Sequence, residues 1–243
     1  MSPNDSSFSG FTSEAVIAAN ASEDARVAFI QRTYLHLFAA IAGLVGLLAV
    51  FVPMLGPTAL QFLAGSQWGW MLVLGGFMLV STAATRMAHS QADMGMQYAG
   101  LLLYVVAESL ILTPLVYVGT KVPGALETAS AITLSAFAGL TVVSFMIKRD
   151  LSFMGRFLSM ASFGALGFIL LSFFMPGMFA SAMPFFAFAM VLLMGGYIVF
   201  QTNQIMRSYP VTGHVGAALG LFASVATLFW YVLQLVLRFS SDD

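Results

Sequence analysis

Residues 98–118 read YAGLLLYVVAESLILTPLVYV, and one charge, Glu108, stands at the midpoint of this otherwise uncharged stretch. At a rise of about 1.5 Å per residue, a helix of this length crosses a hydrocarbon layer about 30 Å thick, whereas a strand would need only about ten residues. The stretch therefore reads as a transmembrane helix with a carboxyl group at mid-depth. The rest of the chain follows the same pattern. Of 243 residues, 60% are hydrophobic and only 8% are charged, where a soluble domain carries roughly 25% charged residues. Too few polar side chains are present to cover a water-facing surface, so lipid is the solvent for most of the chain.

Hydropathy divides the chain into seven spans, near residues 34–55, 68–88, 97–118, 126–147, 156–175, 184–206 and 214–238. Each is helical, because an irregular or open-edged backbone finds no hydrogen-bond partner in lipid. The predicted fold is an all-α membrane protein, a seven-transmembrane-helix bundle. A polar cytoplasmic segment (1–33) precedes the membrane domain (34–238), and a short tail (239–243) follows it. Prolines mark the joints: Pro53 and Pro57 close the first span, Pro123 the third, Pro176 and Pro184 bracket the fifth loop, and Pro210 lies in the sixth. Pro114 alone is expected within a span.

Lysine and arginine set the orientation. With the N-terminus inside, the inner segments hold Arg26, Arg32, Arg86, Lys148, Arg149, Arg156 and Arg207, and the outer ones only Lys121 and Arg238. That asymmetry places the N-terminus in the cytoplasm and the C-terminus outside. The first 33 residues carry Asp5, Glu14, Glu23 and Asp24 and no basic leading region, so they do not read as a cleavable signal. They are expected to start loosely, with a short helix from about Ser22 running into the first span. The odd span count argues against a transporter built from two simple halves. Cysteine is absent, which removes disulfides and thiolate or zinc–cysteine chemistry. A net charge of −1 gives no electrostatic case for nucleic acid.

Helices in lipid approach closely through small residues. The fourth span has Ala131, Ser135 and Gly139 at four-residue spacing, a ridge suited to packing. In the seventh, Gly216, Ala217, Ala218, Gly220, Ala223, Ser224, Ala226 and Thr227 point nearly all the way round a 3.6-residue helix. A rod with small side chains on every side accepts several neighbours, so this span is placed at the centre. Its second half, with Phe229, Trp230 and Tyr231, is expected at the outer interface.

A charge at the bilayer centre costs roughly 2.5–3.5 kcal/mol on insertion scales. Glu108 shares a helix face with Tyr104, and Pro114 removes the backbone bond to the Leu110 carbonyl, which predicts a kink one turn further on. The carboxyl can stay protonated, face an aqueous cavity, or pair with a cation, Arg86 being the nearest by topology. It is therefore a candidate ion or proton site, the plainer alternative being a protonated acid that bonds to a neighbouring helix. In span six, Tyr197, Gln201 and Gln204 form one stripe; in span seven, Gly220, Ser224, Thr227, Tyr231 and Gln234 form another. These stripes line a narrow hydrophilic path or serve as interhelical hydrogen bonds, the commoner role.

Catalysis finds no support. His36, His89 and His214 lie in or beside three different segments without metal-ligand spacing, and each reads as a separate interfacial residue. No G-x-S-x-G or H-E-x-x-H occurs. A retinal Schiff base needs a lysine within a span, and Lys121 and Lys148 both lie at loops. No enzyme activity or cofactor is expected, and a metal site is left open.

Four stretches together resemble the Bax inhibitor-1 family, the transmembrane Bax inhibitor motif proteins, and especially its bacterial YccA-like branch. They are FIQRTYLHLFAAI (29–41), AESLILTPLVY (107–117), KRDLSFMGRFLSM (148–160) and GGYIVFQTNQI (195–205), the second with Ser109 and Thr113 where the family carries glycines. The resemblance covers roughly 25–238 and implies seven helices with the last wrapped by the others. It implies a pH-sensitive leak for calcium or another cation, or control of cell-death pathways or of a membrane-anchored quality-control protease, in a bacterial inner membrane. Many members carry an acidic pair in the sixth and seventh helices. Those positions fall at Gln201 and near Ser224 here, and neither ionises. Glu108 matches the family's third-helix glutamate and is the only acid within a span apart from Glu127 at the start of the fourth. Arg86 would act as a cationic latch. The candidate ion-path or pH-sensing residues are thus Glu108, Gln201, Ser224, Arg86 and Tyr104.

Overall fold

A computed structural model describes residues 17–65, 68–90 and 93–240. Seven long helices fill these residues: α1 (Glu23–Gly65), α2 (Gly69–Ala88), α3 (Met94–Gly119), α4 (Ala125–Met146), α5 (Ser152–Phe174), α6 (Met183–Arg207) and α7 (His214–Phe239). Short turns at Pro176–Phe179 and Ala180–Ala182 lead into α6. All seven are long and apolar enough to cross a membrane, and the chain is a multi-pass membrane protein.

The helices coincide with the predicted spans except at α1, which runs unbroken through Pro53 and Pro57. Those prolines do not close the span. Each removes one backbone donor, but lipid penalises an unwound backbone more heavily than two missing bonds, so the helix continues. Between them, Gly56 lies so close to α3 that a Cβ there would sit 2.6 Å from the Tyr117 ring. At the other end α1 starts at Glu23, close to the start expected near Ser22, and runs into the first span without a break. Ile17 bridges Pro210, and the Ala18 amide donates to the Tyr209 carbonyl at 2.9 Å. Residues 1–16 and 241–243 lie outside the described residues.

The seventh helix is central, packed against α1, α2, α3, α4 and α6. Six successive residues, His214–Leu219, are buried, because their small side chains admit a neighbour on every side. At Gly216 an added Cβ would meet the His89 ring at 2.9 Å and the Ala88 carbonyl at 3.1 Å. Burial continues into the second half of α7. Tyr231, Val232 and Leu233 are buried, and the Tyr231 ring meets Phe186 of α6 edge-on at 5.9 Å. Trp230, half-buried, does the same with Trp70 at 6.0 Å. By contrast α5 packs chiefly on α6 and buries only Leu158 and Ser172 along its length.

The small-residue ridge of α4 also turns out differently. Ala131, Ser135 and Gly139 face outward; the helix buries Ala125, Ala129, Thr133, Phe137, Thr141 and Ser144 instead.

The basic residues collect at one end. The Arg207 guanidinium donates to the Lys148 carbonyl, Arg32 lies one turn from His36, and His36 meets the start of α7. Lys121 lies at the opposite end, its ammonium 4.7 Å from the centre of the Tyr117 ring.

Candidate ion site

Gly100 sets the geometry of the α2–α3 pair. A Cβ there would fall 2.6 Å from both the Ala84 carbonyl oxygen and the Ala88 amide nitrogen. The absence of a side chain brings α3 directly against the last turns of α2, and Arg86 is held near the level of Gly100. Glu108, eight residues further along α3, lies about 12 Å deeper. No ion pair joins Arg86 to Glu108: the expected latch is not closed. Arg86 is exposed and instead borders an open cavity of about 270 Å³ with Ser81, Thr82, Thr85 and Tyr104.

Tyr104 lines this cavity one helical turn before Glu108. It is buried, and its ring stands edge-on between Phe77 of α2 and Phe222 of α7, 6.0 Å from each. Glu108 is 5% exposed, and its Oε2 is buried without a hydrogen-bond partner. The neighbouring hydroxyls do not help. Ser109 donates to the Val106 carbonyl at 2.8 Å and Thr113 to the Ser109 carbonyl at 2.7 Å. An ionised carboxylate left this way is an uncompensated buried charge, tolerated only with a proton or a cation in place. Among the described residues Glu108 thus has no counter-charge.

The two polar stripes on α6 and α7 meet at one point. The Ser224 hydroxyl donates to Gln201 Oε1 at 3.0 Å and is shared with the Gly220 carbonyl at 3.3 Å. Elsewhere they diverge: the Tyr197 hydroxyl pairs with Ser162 of α5 at 3.0 Å, Gln204 donates to Ser152 at 3.2 Å, and Thr227 bonds back to the Ala223 carbonyl. No continuous hydrophilic path joins them.

Sequence reasoning missed three features. Asn203 is fully buried and fastens the basic loop, its Oδ1 accepting from the Leu151 amide at 3.2 Å and its Nδ2 donating to the Arg149 carbonyl at 3.1 Å. The polar run QTNQ (201–204) was the available signal. The hydroxyls of Tyr34, Thr141 and Thr202 converge from α1, α4 and α6, all buried and none with a well-aligned partner. The histidines are also not separate. His36 and His214 have ring centres 5.0 Å apart, and His36 and His89 reach the hydroxyls of Tyr98 and Tyr209, each at 3.2 Å. Contacts across such sequence distances leave no local spacing to read. Among the described residues no group of three or more acidic or imidazole side chains could hold a metal.

A family profile described as inhibitor of apoptosis-promoting Bax1 matches residues 26–241. The chain belongs to this family. Among curated members, it is 29% identical over 147 residues to Bax inhibitor 1 of Schizosaccharomyces pombe, covering 60% of this chain and 54% of that protein. It is 35% identical over 111 residues to Protein LIFEGUARD 1 of Arabidopsis thaliana, covering 44% and 47%. It is 28% identical over 123 residues to an uncharacterized protein of Deinococcus radiodurans, covering 46% and 52%. The matches span about half the length of these relatives. Within the Bax1-inhibitor family, this chain has a neutral hydrogen-bonded pair at Gln201 and Ser224 and keeps its one mid-membrane acid at Glu108.

Proposed function

We propose that this chain is a passive cation leak in which Glu108 is the exchangeable site. The observation that carries this reading is the buried Oε2 without a partner. Such an oxygen has two possible counterparts in lipid, a proton or a metal cation, and exchange between them is the elementary step of a leak. The cation enters as the carboxyl proton leaves. Tyr104, wedged between Phe77 and Phe222, is the barrier on the side of the open cavity, and Arg86 at the rim repels cations, which keeps the flux slow. Calcium is the first ion to test. With Gln201 and Ser224 unable to titrate, pH sensing rests on Glu108 alone and differs from that of an acidic pair sharing a proton.

The basic end of the bundle supports a cytoplasmic N-terminus and an outer C-terminus. The Deinococcus relative supports a bacterial inner membrane and the YccA-like branch. No catalytic chemistry or cofactor is assigned.

A second reading is a non-transporting regulator that binds a membrane-anchored protease or another membrane partner. The outward ridge of Ala131, Ser135 and Gly139 favours it, since small residues at four-residue spacing accept a foreign helix. Purified protein in calcium-loaded liposomes separates the two. Flux without any partner, reduced at least tenfold by Glu108→Gln, is the outcome expected of a leak. Equal flux and equal pH profiles for both proteins would remove Glu108 from any transport role.

A further inference from the structure

We propose that the groove between α5 and α6 binds an anionic glycerophospholipid. The groove has a volume of about 610 Å³ and is open on its lipid side, lined by Ser152, Gly155, Arg156 and Ser159 of α5 and Tyr197 and Phe200 of α6. Its shape follows from the sequence. Gly155 has no side chain, and a Cβ there would fall 2.7 Å from the Phe200 ring, so the ring lies against the α5 backbone and forms an apolar floor. The Ser162–Tyr197 hydroxyl pair closes the deep end at 3.0 Å, and Gln204 donating to Ser152 closes the shallow one.

Charge is arranged at one end of this groove. Ser152, Arg156 and Ser159 share one face of α5 at spacings of four and three. Arg156 is exposed and has no hydrogen bond or ion pair with another described residue. The loop just before α5 adds Lys148 and Arg149, both exposed. Its single acid, Asp150, is occupied locally, accepting from the Ser152 amide at 2.9 Å and the Ser152 hydroxyl at 2.7 Å. Asn203 and Arg207 hold the backbone of the loop in place through the Arg149 and Lys148 carbonyls. The result is a rim of free cations above the Ser159 hydroxyl, then an aromatic floor facing lipid. A phosphodiester headgroup meets the cations, a glycerol ester accepts from the Ser159 hydroxyl, and an acyl chain covers Phe200, while Ser152 stays committed to Asp150 and Gln204. Basic pockets between membrane helices bind anionic headgroups in this manner. A soluble phosphate would use only the rim, and a zwitterionic lipid would bring a second cation against Arg156. Another protein's helix would leave the rim without counter-charge.

Native mass spectrometry of the full chain, released from bilayers of equal dioleoylphosphatidylglycerol and dioleoylphosphatidylcholine, tests this. The expected result is at least fivefold preferential retention of phosphatidylglycerol, lost in Arg156→Gln and kept in Arg156→Lys. Ser159→Trp fills the groove and leaves every cation in place; it is expected to abolish the preference too. Inorganic phosphate in millimolar excess is expected not to compete. Equal retention of the two lipids overturns the proposal, as does an unchanged preference in Ser159→Trp, which would mean attraction to a charged surface only. Competition by inorganic phosphate would also overturn it, in favour of a simple anion site. Matching thermal unfolding of the variants in pure phosphatidylcholine shows that the loss is not misfolding.

Discussion

On α6, Asn203 engages both ends of its amide with the loop before α5, and Gln201 receives the hydroxyl of Ser224. On α3, Glu108 is as deeply placed and keeps a buried oxygen without a partner. Buried polar groups in folded proteins are nearly always satisfied, and leaving one unpaired costs about 1–3 kcal/mol. Gln201 and Asn203 follow that rule and act as interhelical fastenings, although the Thr202 hydroxyl between them has no partner. Glu108 breaks it at the costliest depth in the bilayer. Stability does not account for Glu108, and this is why function is assigned there and not to the longer polar stripes.

The comparison can be broken most severely at Gly100, whose missing side chain holds α2 against the helix that carries the acid. Gly100→Leu drives a side chain into the Ala84 and Ala88 backbone, and a loss of about 3 kcal/mol or outright misfolding is expected. Gly139→Leu, a glycine with nothing within 4 Å of its virtual Cβ, should stay within about 0.5 kcal/mol. Thermal unfolding in detergent measures both. On the satisfied side, Asn203→Ala leaves the Leu151 amide and Arg149 carbonyl unpaired and should cost about 2 kcal/mol. Ser224→Ala removes one interhelical bond, and about 0.6 kcal/mol is expected in the same assay. Glu108→Gln should cost less than either, because no bond to Oε2 is lost, while changing flux most. A large loss of stability there would erase the contrast.

The smallest effect concerns the basic loop. The Ser152 hydroxyl and amide hold the exposed Asp150 carboxyl below its ordinary value, with Arg207 nearby adding to this. A depressed folded value means a contribution present above the ordinary carboxylate range and lost as pH falls through the lowered one. In an NMR titration, Ser152→Ala should return Asp150 toward an ordinary aspartate. An unchanged midpoint would show that the hydroxyl does not act on it.

Much of the bundle was legible because hydropathy is a local property. Six of the helices lie within a few residues of their predicted spans, and α7 is central because glycine and alanine surround it on every side. Misreadings arose where a local signal met a medium-wide constraint. Pro53 and Pro57 look like stops, yet lipid forces the helix onward. Ala131, Ser135 and Gly139 look like a packing ridge, yet Thr133 and Phe137 take the inner face. Spacing names a stripe but not the neighbour it meets.

The chain by itself therefore determined the solvent, the number of crossings, the central rod and the lone acid at mid-depth, since each depends only on which residues follow one another. Only the tertiary structure decided which partners those residues have. It left Glu108 Oε2 without one, joined Gln201 to Ser224 and brought His36 beside His214. A hydrogen bond or an ion pair acts over a few ångströms, and distances on that scale between separate helices are fixed by how their surfaces interlock, not by sequence spacing.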